Sequence, residues 1–183
     1  MDMALGSYSG TALLVVDMQN DVVANAYQAA EVANRIAGLV ARARQSSVPV
    51  IWVRHSGDDL VAGSDGWQIV PALTPAIGER IVEKHFGDSF EGTDLESVLV
   101  DYNVTHLVVC GAQSDACVIS TLFGGFVRGY SMTLVSDAHT TDDYSVFGAP
   151  PVESAIAYIN MIWQYRSAPG RTADVVAASE VVF

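Results

Sequence analysis

The chain has 183 residues, half of them hydrophobic, and a formal net charge of −12 at pH 7. This length and apolar content exclude a disordered chain, and we expect residues 1–183 to form a single domain with a substantial core. The acidic balance, without any lysine- or arginine-rich run, argues against nucleic acid and anionic membrane surfaces as partners.

The N-terminal sequence MDMALGSYSG has no basic segment followed by an apolar one, so we expect no signal peptide. No apolar stretch approaches the roughly 18 residues that suggest a membrane span. Cys110 and Cys117 form neither a CxxC pair nor a zinc-type pair. We therefore expect a cytoplasmic protein with free thiols and no cofactor.

Short runs rich in aliphatic and β-branched residues predict buried parallel strands. In chain order they are Thr11–Asp17, Val48–Arg54, Arg80–Lys84, His106–Gly111, Ser131–Asp137 and a C-terminal run near Ala173–Ala177. The helical patterns between them are Ala29–Arg44, a helix from the capping box Thr93-Asp94-Leu95-Glu96 through Tyr102, about Asp115–Arg128, and Pro151–Tyr165. Strands that alternate with helices indicate a doubly wound α/β sheet.

Two long segments without a strand or helix pattern, Ser56–Gly78 and Ala138–Pro150, are rich in Gly, Asp, Ser, Thr and Pro. Loops of this length inside a compact domain are usually functional. We expect them to form walls or lids of a pocket and to determine the substrate.

Three reactive side chains lie at or just after predicted strand ends. Asp17 ends the first strand, Lys84 ends the Arg80–Lys84 run, and Cys117 begins the helix that follows His106–Gly111. Ligands of open α/β sheets bind outside the carboxyl ends of the strands. An acid, a cation and a thiol are therefore expected at one edge of the sheet.

Together these groups suit acyl transfer to water. A thiol beside an ammonium and a helix N-terminus should have a lowered pKa, and a carboxylate can pass its proton to a leaving amine. Taken singly, each residue has an ordinary interpretation. Cys117 would be a small buried apolar residue and Asp17 a turn or cap residue. Lys84 would be an ordinary surface lysine in a chain that otherwise uses arginine.

The segments LLVVDMQNDV, IVEKHFGDSFEGTDL and LVVCGAQSDACVISTL resemble the three signature blocks of the isochorismatase-like cysteine hydrolases. The resemblance implies a Rossmann-like three-layer α/β/α sandwich with a mainly parallel sheet, and a homo-oligomer, dimeric or higher. It also implies a triad of Cys117 as nucleophile, Asp17 as general base and acid, and Lys84 as the cation that stabilises the thiolate. A cis peptide between Ala112 and Gln113 and an oxyanion hole of the Gln113 and Cys117 backbone amides are implied as well.

Departures from the family pattern narrow the expected chemistry. Members that cleave isochorismate, a vinyl ether, typically lack the cysteine, so Cys117 favours hydrolysis of a small non-peptide amide, carbamoyl or ureido compound. Nicotinamidase-type members have an Asp-x-His…His metal site after the second strand. This chain has His55 there, with Asp58 and Asp59 nearby, and a lone histidine in a loop is rarely a ligand, so we expect no metal.

The sequence allows more than one interpretation of several residues and of the function. Phe90 and Trp67 are candidates for the substrate pocket, with core or lid packing as the equal alternative. The roles of His85 and His139 are undecided, although a solvated turn is the more natural place for His139. A vinyl-ether hydrolase and a catalytically silent binding or assembly module of the same fold are the alternatives to a cysteine amidohydrolase.

Overall fold

A computed structural model of the protein describes residues 10–183. The strands are β1 (Thr11–Val16), β2 (Val50–His55), β3 (Arg80–Lys84), β4 (His106–Ala112), β5 (Ser131–Thr140), β6 (Ser167–Ala168) and β7 (Arg171–Val176). They form one sheet in the order β3-β2-β1-β4-β5-β7-β6, parallel except for β6. Residues 1–9, on which the expectation of no signal peptide rests, lie outside the described part.

Helices cover both faces of the sheet. They are α1 (Ala29–Gln45), α2 (Leu95–Asp101), α3 (Ile119–Val127) and α4 (Val152–Gln164). Alternate residues of β1 point to opposite faces, so Leu13 packs in the cluster that contains α1, whereas Leu14 packs in the cluster that contains α2, α3 and α4. Each such fully buried side chain contributes about 1.5–3 kcal/mol. The predicted three-layer α/β/α sandwich is confirmed.

The predicted capping box of α2 is wrong. The helix begins at Leu95, so Glu96 stands too early in the first turn to reach back and close the box. The Thr93 hydroxyl instead accepts a hydrogen bond from the Leu95 N–H and donates one to the Ser89 carbonyl. Thr93 thereby ties the start of α2 to the segment that follows β3.

Two other boundaries differ from the prediction at functionally relevant places. β5 continues to Thr140, so the loop predicted from Ala138 begins later than expected. The helix predicted from Asp115 is in fact a π-helical turn, Ser114–Val118, that leads into α3.

Among residues 10–183, no helix is both long enough and apolar enough to cross a membrane.

Candidate active site

Asp17, Lys84 and Cys117 lie together at the carboxyl edge of the sheet. Lys84 Nζ is 2.7 Å from Asp17 Oδ2 and 3.1 Å from Cys117 Sγ. β1 and β3 bring the first two side chains there, and the π-helical turn after β4 brings the third. The structure therefore places the three predicted side chains in contact, and their catalytic roles stay a prediction.

Lys84 has no exposed surface, which is rare for a lysine. Besides Asp17 and Cys117, its ammonium lies 3.0 Å from the Phe86 carbonyl oxygen and 3.3 Å from His55 Nδ1. An ammonium has three N–H donors, so these four acceptors engage all of them. Such an arrangement around one nitrogen suits lysine and leaves no room for the planar fork of arginine.

Asp17 follows β1 in a left-handed backbone conformation, with φ of 45°, and its side chain is buried. Burial raises the pKa of its carboxyl group, while the nearby Lys84 ammonium and Cys117 thiol lower that pKa. No group among residues 10–183 donates a hydrogen bond of ordinary geometry to Asp17 Oδ1. The carboxylate therefore has an oxygen available to accept a proton.

The Cys117 thiol differs from the expectation of a lowered pKa. Burial, followed by the negative charge of Asp17, raises the pKa of Cys117 to about 11, although Lys84 acts in the opposite direction. The expectation is wrong because the sequence does not reveal how far the thiol is removed from water. At neutral pH the thiol is protonated, so a nucleophilic thiolate requires a base.

His55 is a neighbour of the triad whose position the sequence did not explain. A Lys84 ammonium can only donate, so His55 Nδ1 is the acceptor in their 3.3 Å contact and the ring proton is on Nε2. Burial, together with the charges of Lys84 and His85, lowers the pKa of His55. The imidazole is thus a neutral hydrogen-bond donor at neutral pH.

Gln19 holds His55 in place from the loop after β1. Its side-chain amide accepts a hydrogen bond from the His55 N–H at 2.7 Å and donates to the carbonyl oxygens of His55 and Trp67, each at 2.9 Å. Gln19 is fully buried, so these bonds satisfy an amide that would otherwise be costly to enclose. They fasten the end of β2 to the long loop that contains Trp67.

The potential metal ligands near His55 do not converge on one point. Asp58 and Asp59 are exposed, and His55 Nδ1 already faces the Lys84 ammonium. Within residues 10–183, no group of three or more His, Cys, Asp and Glu side chains is arranged to hold a metal ion.

The turn before Cys117 contains the cis peptide that the resemblance implies. The Ala112–Gln113 peptide is cis, and the Gln113 N–H has no hydrogen-bond acceptor among residues 10–183. The Gln113 side chain donates to the Val22 carbonyl oxygen at 3.1 Å and accepts from the Tyr144 hydroxyl at 2.7 Å. These bonds fix the turn between the loop after β1 and the loop after β5.

Gly111 lets β4 approach β1 closely just before this turn. Its φ is 125°, and a Cβ at this position would lie 2.0 Å from the Val16 carbonyl oxygen. Only glycine fits there. The close approach places the turn that carries Cys117 directly beside Asp17, which follows Val16.

His139 is buried in β5, so its predicted place in a solvated turn is wrong. His139 Nδ1 lies 2.7 Å from Ser114 Oγ, and Nε2 lies 3.0 Å from Asn160 Oδ1. This chain connects the start of the π-helical turn to α4. The polar residues Ser136 and Asp137 interrupt the aliphatic run, so the sequence offers no clear signal that the strand continues to His139.

For the two aromatic candidates for the pocket, the structure favours the alternative of packing elsewhere. Phe90 is buried in the core, stacked on Tyr130 with ring centroids 5.7 Å apart. Trp67 lies in the long loop under the Arg54 guanidinium, which is 3.7 Å from its ring centroid. Neither side chain is part of the wall of the cavity at Cys117.

That cavity has a volume of about 230 Å³ and opens beside the three contacting side chains. Asp17 and Cys117 form part of its wall, together with Asp21, Val22, His55 and Gln113. The volume equals that of roughly eight water molecules in the liquid, so the cavity admits a small ligand or one end of a larger one.

The chain is similar to known proteins over most of its length. The family model described as the isochorismatase domain matches residues 11–149. A streptothricin hydrolase of Streptomyces noursei is 34% identical over 152 residues, which are 79% of this chain and 59% of that protein. A ureidoacrylate amidohydrolase, RutB, of Methylobacterium radiotolerans is 27% identical over 216 residues, covering 93% of this chain and 84% of that protein.

Among solved structures, a cysteine hydrolase from Pseudomonas syringae pv. phaseolicola superimposes with a TM-score of 0.83 at 26% identity. The match covers 93% of this chain and 89% of that one. The chain spans only 59% and 54% of the two streptothricin hydrolases that it matches.

Proposed function

The chain belongs to the isochorismatase family, and we propose that it is a cysteine-dependent hydrolase of a small non-peptide C–N bond in an amide, carbamoyl or ureido compound. The observation that carries the proposal is the Lys84 ammonium, which contacts both Asp17 and Cys117 beside a small cavity. Relatives named as amidohydrolases support the class of bond.

The first step forms a bond between Cys117 Sγ and the substrate carbonyl carbon. With a thiol pKa of about 11, ionising Cys117 beforehand at pH 7 costs about 5 kcal/mol. Proton transfer to Asp17 during the attack avoids that prior ionisation, and burial has raised the pKa of Asp17 toward that of the thiol. The Lys84 ammonium stabilises the negative charge as it develops on sulfur.

The carbonyl oxygen becomes an oxyanion in this step. The Gln113 N–H, which has no acceptor among residues 10–183, and the Cys117 N–H are the proposed donors to it. Protonated Asp17 then gives its proton to the leaving nitrogen as the C–N bond breaks. The products are an amine or ammonia and a thioester on Cys117.

Water completes the cycle. Asp17, again a carboxylate, takes a proton from a water molecule that attacks the thioester carbon. The C–S bond breaks, the acid product leaves, and Cys117 recovers its proton. Atoms and charges balance with water as the only co-reactant.

A screen of small amides and ureido compounds for ammonia release tests the proposal, with Cys117→Ser as the matched control. We expect wild-type protein to release ammonia from at least one compound, and Cys117→Ser to lose more than about 99% of that rate. Release of ammonia by Cys117→Ser at the wild-type rate contradicts the nucleophilic role. Turnover of isochorismate that survives in Cys117→Ala favours the vinyl-ether hydrolase instead.

A further inference from the structure

Asp21, an exposed residue of the loop after β1, lines the cavity that contains Cys117. Its backbone N–H donates to the Gly66 carbonyl oxygen at 3.0 Å, which fastens the loop after β1 to the long loop after β2. The carboxylate lies against Gly66, where a Cβ would come within 1.8 Å of Asp21 Oδ2. Any larger residue at position 66 would displace the carboxylate.

The Asp21 carboxylate has no cation within ion-pair distance among residues 10–183. No arginine or lysine lines the cavity. The buried Lys84 ammonium is paired with Asp17, so this pair adds little net charge. His55 is neutral at neutral pH. The negative charge of Asp21 is therefore not compensated by the cavity wall.

Further carboxylates lie close to this wall. Tyr144 donates to the side chain of Gln113, a wall residue. Asp115 directly precedes the wall residue Ala116, and its Oδ1 accepts a hydrogen bond from the Thr141 hydroxyl at 2.6 Å. Burial and then the charges of Asp142 and Asp115 raise the pKa of Tyr144. Asp17 also lines the cavity, but the Lys84 ammonium offsets its charge. The uncompensated negative charge of the wall itself is therefore that of Asp21.

We propose that the substrate carries a positive charge, an ammonium or guanidinium group, on its non-reacting part, and that Asp21 binds this charge. The inference rests on the proposed function in one respect, because it takes Cys117 as the group that reacts with the substrate. A substrate with a carboxylate near this wall would meet Asp21 with no cation to offset the repulsion. A cationic substrate gains attraction from the same charges.

Charged thiol reagents measure the electrostatic potential at Cys117 directly. The cationic 2-aminoethyl and the anionic 2-sulfonatoethyl methanethiosulfonates both form a mixed disulfide with the thiolate and release methanesulfinate. We define the charge ratio as the rate constant for the cation divided by that for the anion, each relative to its reaction with 2-mercaptoethanol. Modification of Cys117 is followed by intact mass at low salt, with Cys117→Ser as the blank.

We expect a charge ratio of about 10 or more in the wild-type protein, and a three- to tenfold smaller ratio in Asp21→Asn, since one charge at a small cavity has roughly this effect. Asp101→Asn is the matched control, because it removes an equal charge from an exposed position at the end of α2. The control should leave the ratio unchanged. Raising the salt concentration should bring the wild-type ratio toward 1.

A wild-type charge ratio near or below 1 overturns the proposal. Equal ratios in wild-type protein and Asp21→Asn also overturn it, because the charge would then come from elsewhere. If Asp21→Asn does not fold, the wild-type ratio and its salt dependence decide alone. A high charge ratio in a protein that hydrolyses no amide supports this inference and contradicts the proposed function. Amide hydrolysis by a protein whose charge ratio is near 1 supports the proposed function and contradicts this inference.

Discussion

Removing both members of the buried Lys84–Asp17 pair should cost clearly less stability than the sum of the two single removals. Neither side chain has appreciable exposure, and their charged atoms are 2.7 Å apart. Lys84→Met keeps a similar shape and leaves the Asp17 carboxylate without its cation. Asp17→Asn keeps the shape of the acid and leaves the ammonium without its anion. The double variant contains neither charge.

The expected loss is about 3–5 kcal/mol in the free energy of unfolding for each single variant, because an unpaired charge stays buried. This is a large part of the roughly 5–15 kcal/mol that stabilises an ordinary domain. The double variant should lose less than the sum of the two singles by at least about 2 kcal/mol. The Phe86 carbonyl oxygen, 3.0 Å from Nζ, loses its partner in either Lys84 variant, so full recovery is not expected.

Urea unfolding at a fixed protein concentration measures these free energies. The slope of the unfolding free energy against urea concentration is compared between variants. In Lys84→Met, burial raises the pKa of Asp17 above its unfolded value, without the opposing cation. Stability is then greatest below the unfolded pKa and falls as pH rises through the folded one, so the deficit of Lys84→Met should shrink from about pH 8 to about pH 5. Additive losses in the double variant, or a deficit independent of pH, refute the reasoning.

Other expected outcomes concern the thiol, the cation and the buried histidine. Lys84→Arg should reduce ammonia release at least about 100-fold although the charge is kept, because four acceptors surround one nitrogen; near-normal release contradicts this. The rate of Cys117 alkylation by iodoacetamide should keep rising toward about pH 11, and a plateau near neutral pH contradicts the raised pKa. Burial lowers the pKa of His139, so the free energy of unfolding of the wild-type protein should fall as pH drops below about 6.5. The fall should be smaller in His139→Leu. Urea unfolding at several pH values measures both, and an equal dependence on pH contradicts this.

Much of the fold was predictable because each buried strand is a short run of aliphatic and β-branched residues. The same logic located Asp17 and Lys84, since the ends of parallel strands meet at one edge of the sheet. Errors arose where a pattern continued through a polar residue. β5 extends past Asp137 to Thr140, and this extension is what buries His139.

The environment of the site was harder to predict because it depends on contacts between distant segments. The raised pKa of Cys117 results from burial and from Asp17, which lies a hundred positions earlier in the chain. The place of Asp21 in the cavity depends on Gly66 in a loop without regular structure. No periodic pattern records such contacts. For the same reason the sequence left Phe90 open between the substrate pocket and the core, where it lies.

Alkylation of Cys117, followed together with loss of turnover, tests most directly whether this thiol performs the reaction. Iodoacetamide is added to the protein, incorporation at Cys117 and Cys110 is quantified by peptide mass spectrometry, and ammonia release is measured at each time point. We predict that Cys117 is modified first and that activity falls in proportion, because Cys110 is fully buried. Full modification of Cys117 with ammonia release unchanged contradicts its role as the nucleophile.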